Sequence, residues 1–267
     1  MSDTSPANTS PASTILPEQD TWGLDGKTVL VTGAASGIGA ATARMAAGDG
    51  ADVLVCDLAS SPGAAIAAEI GGTFVALDVT SPEAWAAAVA DVDRIDVAIL
   101  NAGVEFRAPG DFFRTPDDPG EWNLDAYKKT TSVNIDGVAL GMHALVPLMD
   151  RAGGGSITAT ASLAGLIPWT PDPIYSMTKW AVVGLVRASA PPLRKKNITM
   201  NAVCPGGVAT PLVRVFDGTV PPGMAHPDHI ATALLGIATS GLSGRIIKAV
   251  AGHPHSAHTF AEVTGVD

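Results

Sequence analysis

Thr32-Gly33-Ala34-Ala35-Ser36-Gly37-Ile38-Gly39 is the stretch whose reading decides the fold. It follows a short apolar run at 28–31 and leads into an Ala-rich amphipathic segment at 38–47. Glycines there let the chain turn tightly, bring its backbone close to a pyrophosphate and pack helix against strand. The N-terminus of the helix then directs free N–H groups and its dipole at the anion. A glycine cluster alone also suits an ordinary turn; the strand before it and the helix after it favour a phosphate cradle.

Outward from this unit the pattern repeats. Further apolar runs at 52–56, 73–77, 97–100, 156–160, 199–203 and 246–250 predict buried strands. Helical segments are expected at 82–90, 133–149 and 175–190. Strands with little polar alternation, separated by helices, predict a parallel sheet covered on both faces, the doubly wound α/β arrangement. Residues 24–267 read as one such domain. Residues 1–23, rich in Ser, Thr, Pro and Ala with no Lys or Arg, read as a disordered tail without the features of a secretory or transit signal.

Composition narrows the function. The chain has 267 residues, 46% of them hydrophobic, enough for a large core. Its net charge of -10 disfavours nucleic acid and anionic membranes as partners. No uninterrupted apolar run approaches the ~18 residues of a membrane span. Two cysteines, Cys56 and Cys204, suit a reduced, cytoplasmic protein in which each is a small buried apolar group.

A carboxylate about 20 residues beyond such glycines binds the ribose hydroxyls of NAD. Asp57, ending the second strand, stands at that place, and it would repel the 2′-phosphate of NADP. Two like charges near 4 Å cost roughly 1 kcal/mol in water and about 4 at an effective dielectric of 20. NAD is the expected cofactor. Asp78 and Val79, after the third strand, suit either the adenine amino group or the start of the next helix.

Tyr175 and Lys179 stand at i and i+4, on one face of a helix, and Ser162 ends the preceding strand. The set suits acid–base chemistry on an alcohol or ketone. A phenol working as a base near pH 7–8 must drop its pKa by about 2 to 3, roughly 3 to 4 kcal/mol. The ammonium of Lys179 and an oxidised nicotinamide ring would supply this by favouring tyrosinate.

With Asn101-Ala102-Gly103 after the fourth strand, Asn134, and Pro205-Gly206 followed by Val208 and Thr210, the motifs together resemble the short-chain dehydrogenase/reductase family over 24–267. The resemblance implies a Rossmann-type sheet of seven parallel strands, metal-free hydride transfer, and a homo-oligomer, tetramer or dimer. It assigns acid–base chemistry to Tyr175, oxygen positioning to Ser162 and ribose binding to Lys179. Asn134 would support a helix kink and a water relay to Lys179. Gly33, Ser36, Gly37, Ile38, Gly39, Asp57, Leu58, Asp78, Val79, Asn101, Ala102, Gly103, Pro205, Gly206, Val208 and Thr210 would line the cofactor, with Tyr175 and Lys179.

Two features depart from the family. Leu100 precedes Asn101 where many relatives carry a second Asn, and the ending Ala249-Val250-Ala251-Gly252-His253 lacks the common Asp-Gly-Gly, which puts a C-terminal subunit contact in doubt. The segments Ser162-Leu163-Ala164-Gly165-Leu166-Ile167-Pro168, Asn201-Ala202-Val203-Cys204-Pro205-Gly206 and 242–248 resemble the subgroup that contains 15-hydroxyprostaglandin dehydrogenase.

Substrate walls are expected from 104–113, 163–169 and 210–220. These offer Phe106, Phe112, Phe113, Leu163, Leu166, Ile167, Trp169, Leu212, Val213 and Phe216, with Asp172 as a polar contact or a turn former. A largely apolar wall favours a lipophilic secondary alcohol or ketone. The alternatives are an NADPH-dependent ketoreductase and a dinucleotide-sensing protein without catalysis. His253, His255 and His258 lack accompanying acidic or Cys ligands, so no metal is expected. Arg194, Lys195 and Lys196 read as cations complementing a helix C-terminus.

Overall fold

Continuous burial along β1, Thr28–Thr32, sets the layering. In the computed structural model, which describes Leu16 and residues 21–105, 124–213 and 222–261, Val29 and Val31 face one hydrophobic layer and Leu30 the other. Side chains alternate between the faces of a strand, so a central strand of apolar residues feeds both layers. The same division holds in β4, Val97–Leu100: Val97 and Ile99 point to the first layer, Ala98 and Leu100 to the second.

The remaining strands are β2 Asp52–Asp57, β3 Thr73–Ala76, β5 Gly155–Thr160, β6 Ile198–Pro205, β7 Ile246–Ala249 and β8 Ser256–Ala257. They form one sheet in the order β3-β2-β1-β4-β5-β6-β7-β8. Strands β1 to β7 are parallel throughout, while β8 pairs antiparallel with β7. Among the described residues the sheet therefore has eight strands, not the expected seven. The added strand is two residues long, too short to leave a hydrophobic pattern.

Helices α1 Gly37–Gly48, α2 Gly63–Ile70 and α7 Pro227–Thr239 bury Ala43, Ala67 and Leu234 in the first layer. The second layer takes Trp85 from α3 Pro82–Ala88, Leu145 from α5 Gly137–Arg151 and Val182 from α6 Pro173–Arg194. The expected helix at 133–149 is a compound element. Helix α4, Leu124–Thr131, runs through a π-helical turn, Ser132–Asp136, into α5. This continuous stretch is long and apolar enough to cross a bilayer, but Leu145, Leu148 and Met149 are packed in the core. Helix α6 runs through Pro191 and Pro192 to Arg194, past the expected end, and Lys195 is its C-cap.

Of the expected tail at 1–23, Leu16 is buried in the layer under α7, and Trp22 packs against the same cluster. The backbone amides of Trp22 and Leu24 both donate to Asp49.

Consecutive strands run outward from β1 to β3 on one side and from β4 onward on the other. The order reverses between β1 and β4, and at such a switch point the loops leaving the two strands diverge and open a crevice at their C-terminal ends.

Candidate active site

A cavity of about 730 Å³ occupies that crevice. One end is the glycine loop after β1. Gly33 and Gly37 have φ of +65° and +52°, where a side chain would be strained. A Cβ on Gly39 would lie 2.1 Å from the Gly33 carbonyl oxygen, and one on Gly37 would meet the Thr210 methyl at 3.0 Å. Ser36, the N-cap of α1, makes no side-chain capping bond among the described residues. The first amides of α1 thus keep their donors for an anion. Asp57 is fixed beside them: its Oδ2 accepts from the Ala35 amide at 2.9 Å and its Oδ1 from Leu58 at 2.8 Å. A loop closed to side chains, with an uncapped helix start and a carboxylate at the next strand end, fits a dinucleotide.

Asn101 ties this end to the sheet. Its Nδ2 donates to the Thr32 carbonyl at 3.1 Å, and its Oδ1 accepts from the Thr160 hydroxyl at 3.1 Å. The Thr32 hydroxyl accepts from the amides of Asn101 and Ala102. Asp78 forms a local turn, accepting from the amide and hydroxyl of Thr80, while Ser81 caps α3.

At the other end, buried Asn134 sits in the π-helical turn. Its side chain exchanges two hydrogen bonds with the Val104 backbone, at 2.8 and 2.9 Å, and its Nδ2 also donates to the Thr178 hydroxyl at 3.0 Å. Lys179 is 4% exposed, and its Nζ donates to the Thr160 carbonyl at 3.0 Å, 5.4 Å from the centre of the Tyr175 ring. A Cβ on Gly103 would lie 3.3 Å from both Lys179 Nζ and Asn134 Oδ1, so the two polar groups flank one glycine. Ser162 starts a 3-10 turn, Leu163–Gly165, and its hydroxyl accepts from the Ala164 amide. Ser176 donates to the Ala164 carbonyl at 2.7 Å and holds that turn against α6.

Burial governs the charges. It lowers Lys179 from the usual lysine range to about 8 and raises the Tyr175 phenol above its usual value. A hydrogen bond with Ser162 pulls the phenol back, while Glu105, Asp172 and Cys204 push it up. In the protein alone the net direction is opposite to that expected from Lys179, because desolvation is the largest cause. Burial also pushes both thiols, Cys56 and Cys204, up to about 12, so neither is a thiolate near neutral pH.

The chain matches the short chain dehydrogenase family across residues 27–219. It belongs to that family of oxidoreductases. A trans-4-hydroxycyclohexanecarboxylate dehydrogenase from Sinomonas cyclohexanicum is 36% identical over 80% of this chain and 86% of its own length. A D-threitol dehydrogenase from Mycolicibacterium smegmatis is 34% identical over 81% and 87%. The crystal structure of a 3-ketoacyl-(acyl-carrier-protein) reductase from Brucella melitensis complexed with NADH superposes with a TM-score of 0.75 at 26% identity, over 86% of this chain and 98% of that one.

In this short-chain dehydrogenase every residue expected at the cofactor lines the cavity except Gly39, which packs behind the loop. Ser162, Tyr175 and Lys179 also line it, and Asn134, which does not, is bonded to Val104, which does. Of the expected substrate residues, Leu163, Ile167, Trp169 and Leu212 face the cavity. Leu166 packs on the core, Val213 does not line the cavity, and Asp172 caps α6. Phe106, Phe112, Phe113 and Phe216 lie outside the described residues. Thr160 and Thr178, which hold Lys179 and Asn134, were not singled out from the sequence, and Thr32, which holds Asn101, entered only as the first residue of the glycine stretch. Thr178, one position before Lys179, carried a faint signal; the others are ordinary strand threonines.

Proposed function

We propose that this chain oxidises a lipophilic secondary alcohol with NAD, or reduces the matching ketone with NADH. When bound, the dinucleotide supplies a hydride acceptor or donor at the substrate carbon. Ser162 hydrogen-bonds the substrate oxygen and holds it at the Tyr175 hydroxyl. Tyr175 takes the alcohol proton during oxidation and returns one to the carbonyl oxygen during reduction. Lys179 binds the nicotinamide ribose, and its charge, joined by that of the oxidised ring, offsets the burial that raises the phenol. Asn134, held in its π-helical turn, aligns a water that carries protons from Lys179 to solvent.

The observation that carries this reading is the buried Lys179, hydrogen-bonded to Thr160 and set beside the Tyr175 ring at the cavity wall. A buried cation there has a cost that packing alone does not repay. Asp57, fixed by two amides, supports NAD over NADP. The apolar wall of Leu163, Ile167, Trp169 and Leu212 supports a hydrocarbon-rich substrate. Exposed Met177 and Trp180 on α6 support assembly as a homo-oligomer, dimer or tetramer, and two free buried thiols support a cytoplasmic setting.

The test is a turnover screen of secondary alcohols and ketones with both cofactors, repeated with Tyr175→Phe. The variant should bind NADH normally and lose about 10²- to 10⁴-fold in kcat. Near-normal turnover in Tyr175→Phe would place the acid–base group elsewhere.

A further inference from the structure

Thr170-Pro171-Asp172-Pro173 enters α6 directly ahead of Tyr175. Pro173 occupies the first turn, where its missing N–H costs nothing. A residue before proline is held extended, and Asp172 has φ of −145° and ψ of 91°. From there its Oδ1 accepts from the Tyr175 amide at 2.8 Å. The carboxylate is thus bonded to the residue that carries the phenol, and it is 8% exposed.

Capping alone does not require a carboxylate. Asn and Ser cap a helix about as well as Asp. A buried negative charge at this place has a second effect. It offsets the positive end of the α6 dipole and opposes ionisation of the nearby phenol.

We propose that Asp172 is a positioning residue for Tyr175 whose buried charge also sets the pH at which the phenol gives up its proton. This rests on the reading of Tyr175 as the acid–base group. The other groups acting on the phenol come from several elements. Lys179 lies on α6, Ser162 on the turn after β5, Cys204 on β6 and Glu105 beyond β4. Burial makes the largest contribution to the raised phenol, and Asp172 adds to it in the same direction as Glu105. Removing the Asp172 charge while keeping its cap therefore makes tyrosinate easier to form.

The experiment compares Asp172→Asn and Asp172→Ser, which keep a capping oxygen, with Asp172→Ala, which does not. The acid limb of kcat/KM for alcohol oxidation should move to lower pH by about half a unit or more in the Asn and Ser variants. Asp172→Ala should show the same movement with a lower melting temperature. A limb that stays in place in the Asn and Ser variants, with loss confined to Asp172→Ala, would leave Asp172 a helix cap and overturn the proposal.

The chain contains two tyrosines, Tyr127 and Tyr175, so ring-carbon NMR of labelled tyrosine in the NAD-bound protein follows Tyr175 without any turnover. Its titration should move to lower pH in both capped variants. If they titrate with the unmodified protein, the charge effect is absent whatever the reaction. If Tyr175 titrates as expected but Tyr175→Phe keeps its activity, the charge effect stands and the catalytic reading fails.

Discussion

The two ends of the cavity are shaped by different parts of the chain. The phosphate end is main chain folded against main chain: Gly39 leaves no room for a Cβ against the Gly33 carbonyl. At the substrate end the neighbours are side chains. A Cβ on Gly207 would meet the flexible side chain of Met224 at 3.4 Å, an ordinary contact. Backbone cannot step aside without disturbing the sheet that carries it, whereas side chains can change rotamer. The first end is therefore fixed in shape, and the second is free to be recut for different substrates.

The largest effect should come from putting a methyl group at each end. Gly39→Ala forces the cradle open and should cost about 2 to 3 kcal/mol, roughly 30- to 150-fold in NADH affinity. Gly207→Ala should change stability by no more than about 0.5 kcal/mol and leave NADH affinity nearly unchanged. Fluorescence titration with NADH and thermal melts of both variants decide the matter. Similar losses at both positions would mean that the two ends are equally rigid.

The contrast also explains what was legible in the sequence. The cradle depends on Gly33, Gly37 and Gly39, close together in the chain and demanded by backbone geometry, so their spacing carried the reading. Tyr175 and Lys179 were legible because one helical turn joins them. Thr160 was not, since what holds Lys179 is its carbonyl, a group every residue has. The seven parallel strands left apolar runs, but β8 did not. Helix α7 begins at His226-Pro227 and was not among the expected helices. Asp172 shows the converse: its position before Pro173 is a readable cap, and the sequence reading left open whether it formed the turn or touched substrate.

A second, smaller effect tests the side chain that closes the phosphate end. Asp57 lies in the cavity wall with both oxygens already bonded to amides, so its charge is fixed there. NAD(H) should bind about tenfold more tightly than NADP(H) if the repulsion reaches about 1.4 kcal/mol. Asp57→Ser should narrow that gap by removing both the repulsion and an acceptor for the ribose. Equal affinities in the unmodified protein would remove Asp57 from cofactor selection while leaving the cradle intact.

The smallest effect belongs to the substrate end. Ile167, Trp169 and Leu212 line the cavity yet are 50%, 38% and 42% exposed, so they form its rim and not its floor. Full burial of a large apolar side chain is worth about 1.5 to 3 kcal/mol, and a substrate crossing the rim would cover a fraction of that. Trp169→Ala or Leu212→Ala should therefore lower kcat/KM for a cyclohexyl or long-chain secondary alcohol by about 3- to 10-fold, some 0.7 to 1.4 kcal/mol. For a small polyol such as D-threitol, which has little hydrocarbon to lay across the rim, the same variants should leave kcat/KM within about twofold. Equal losses for both substrates would mean that the side chains support the fold of their loops and do not select. A preference of the unmodified protein for the polyol would overturn the lipophilic reading, and the phosphate end, built from backbone, would be unaffected.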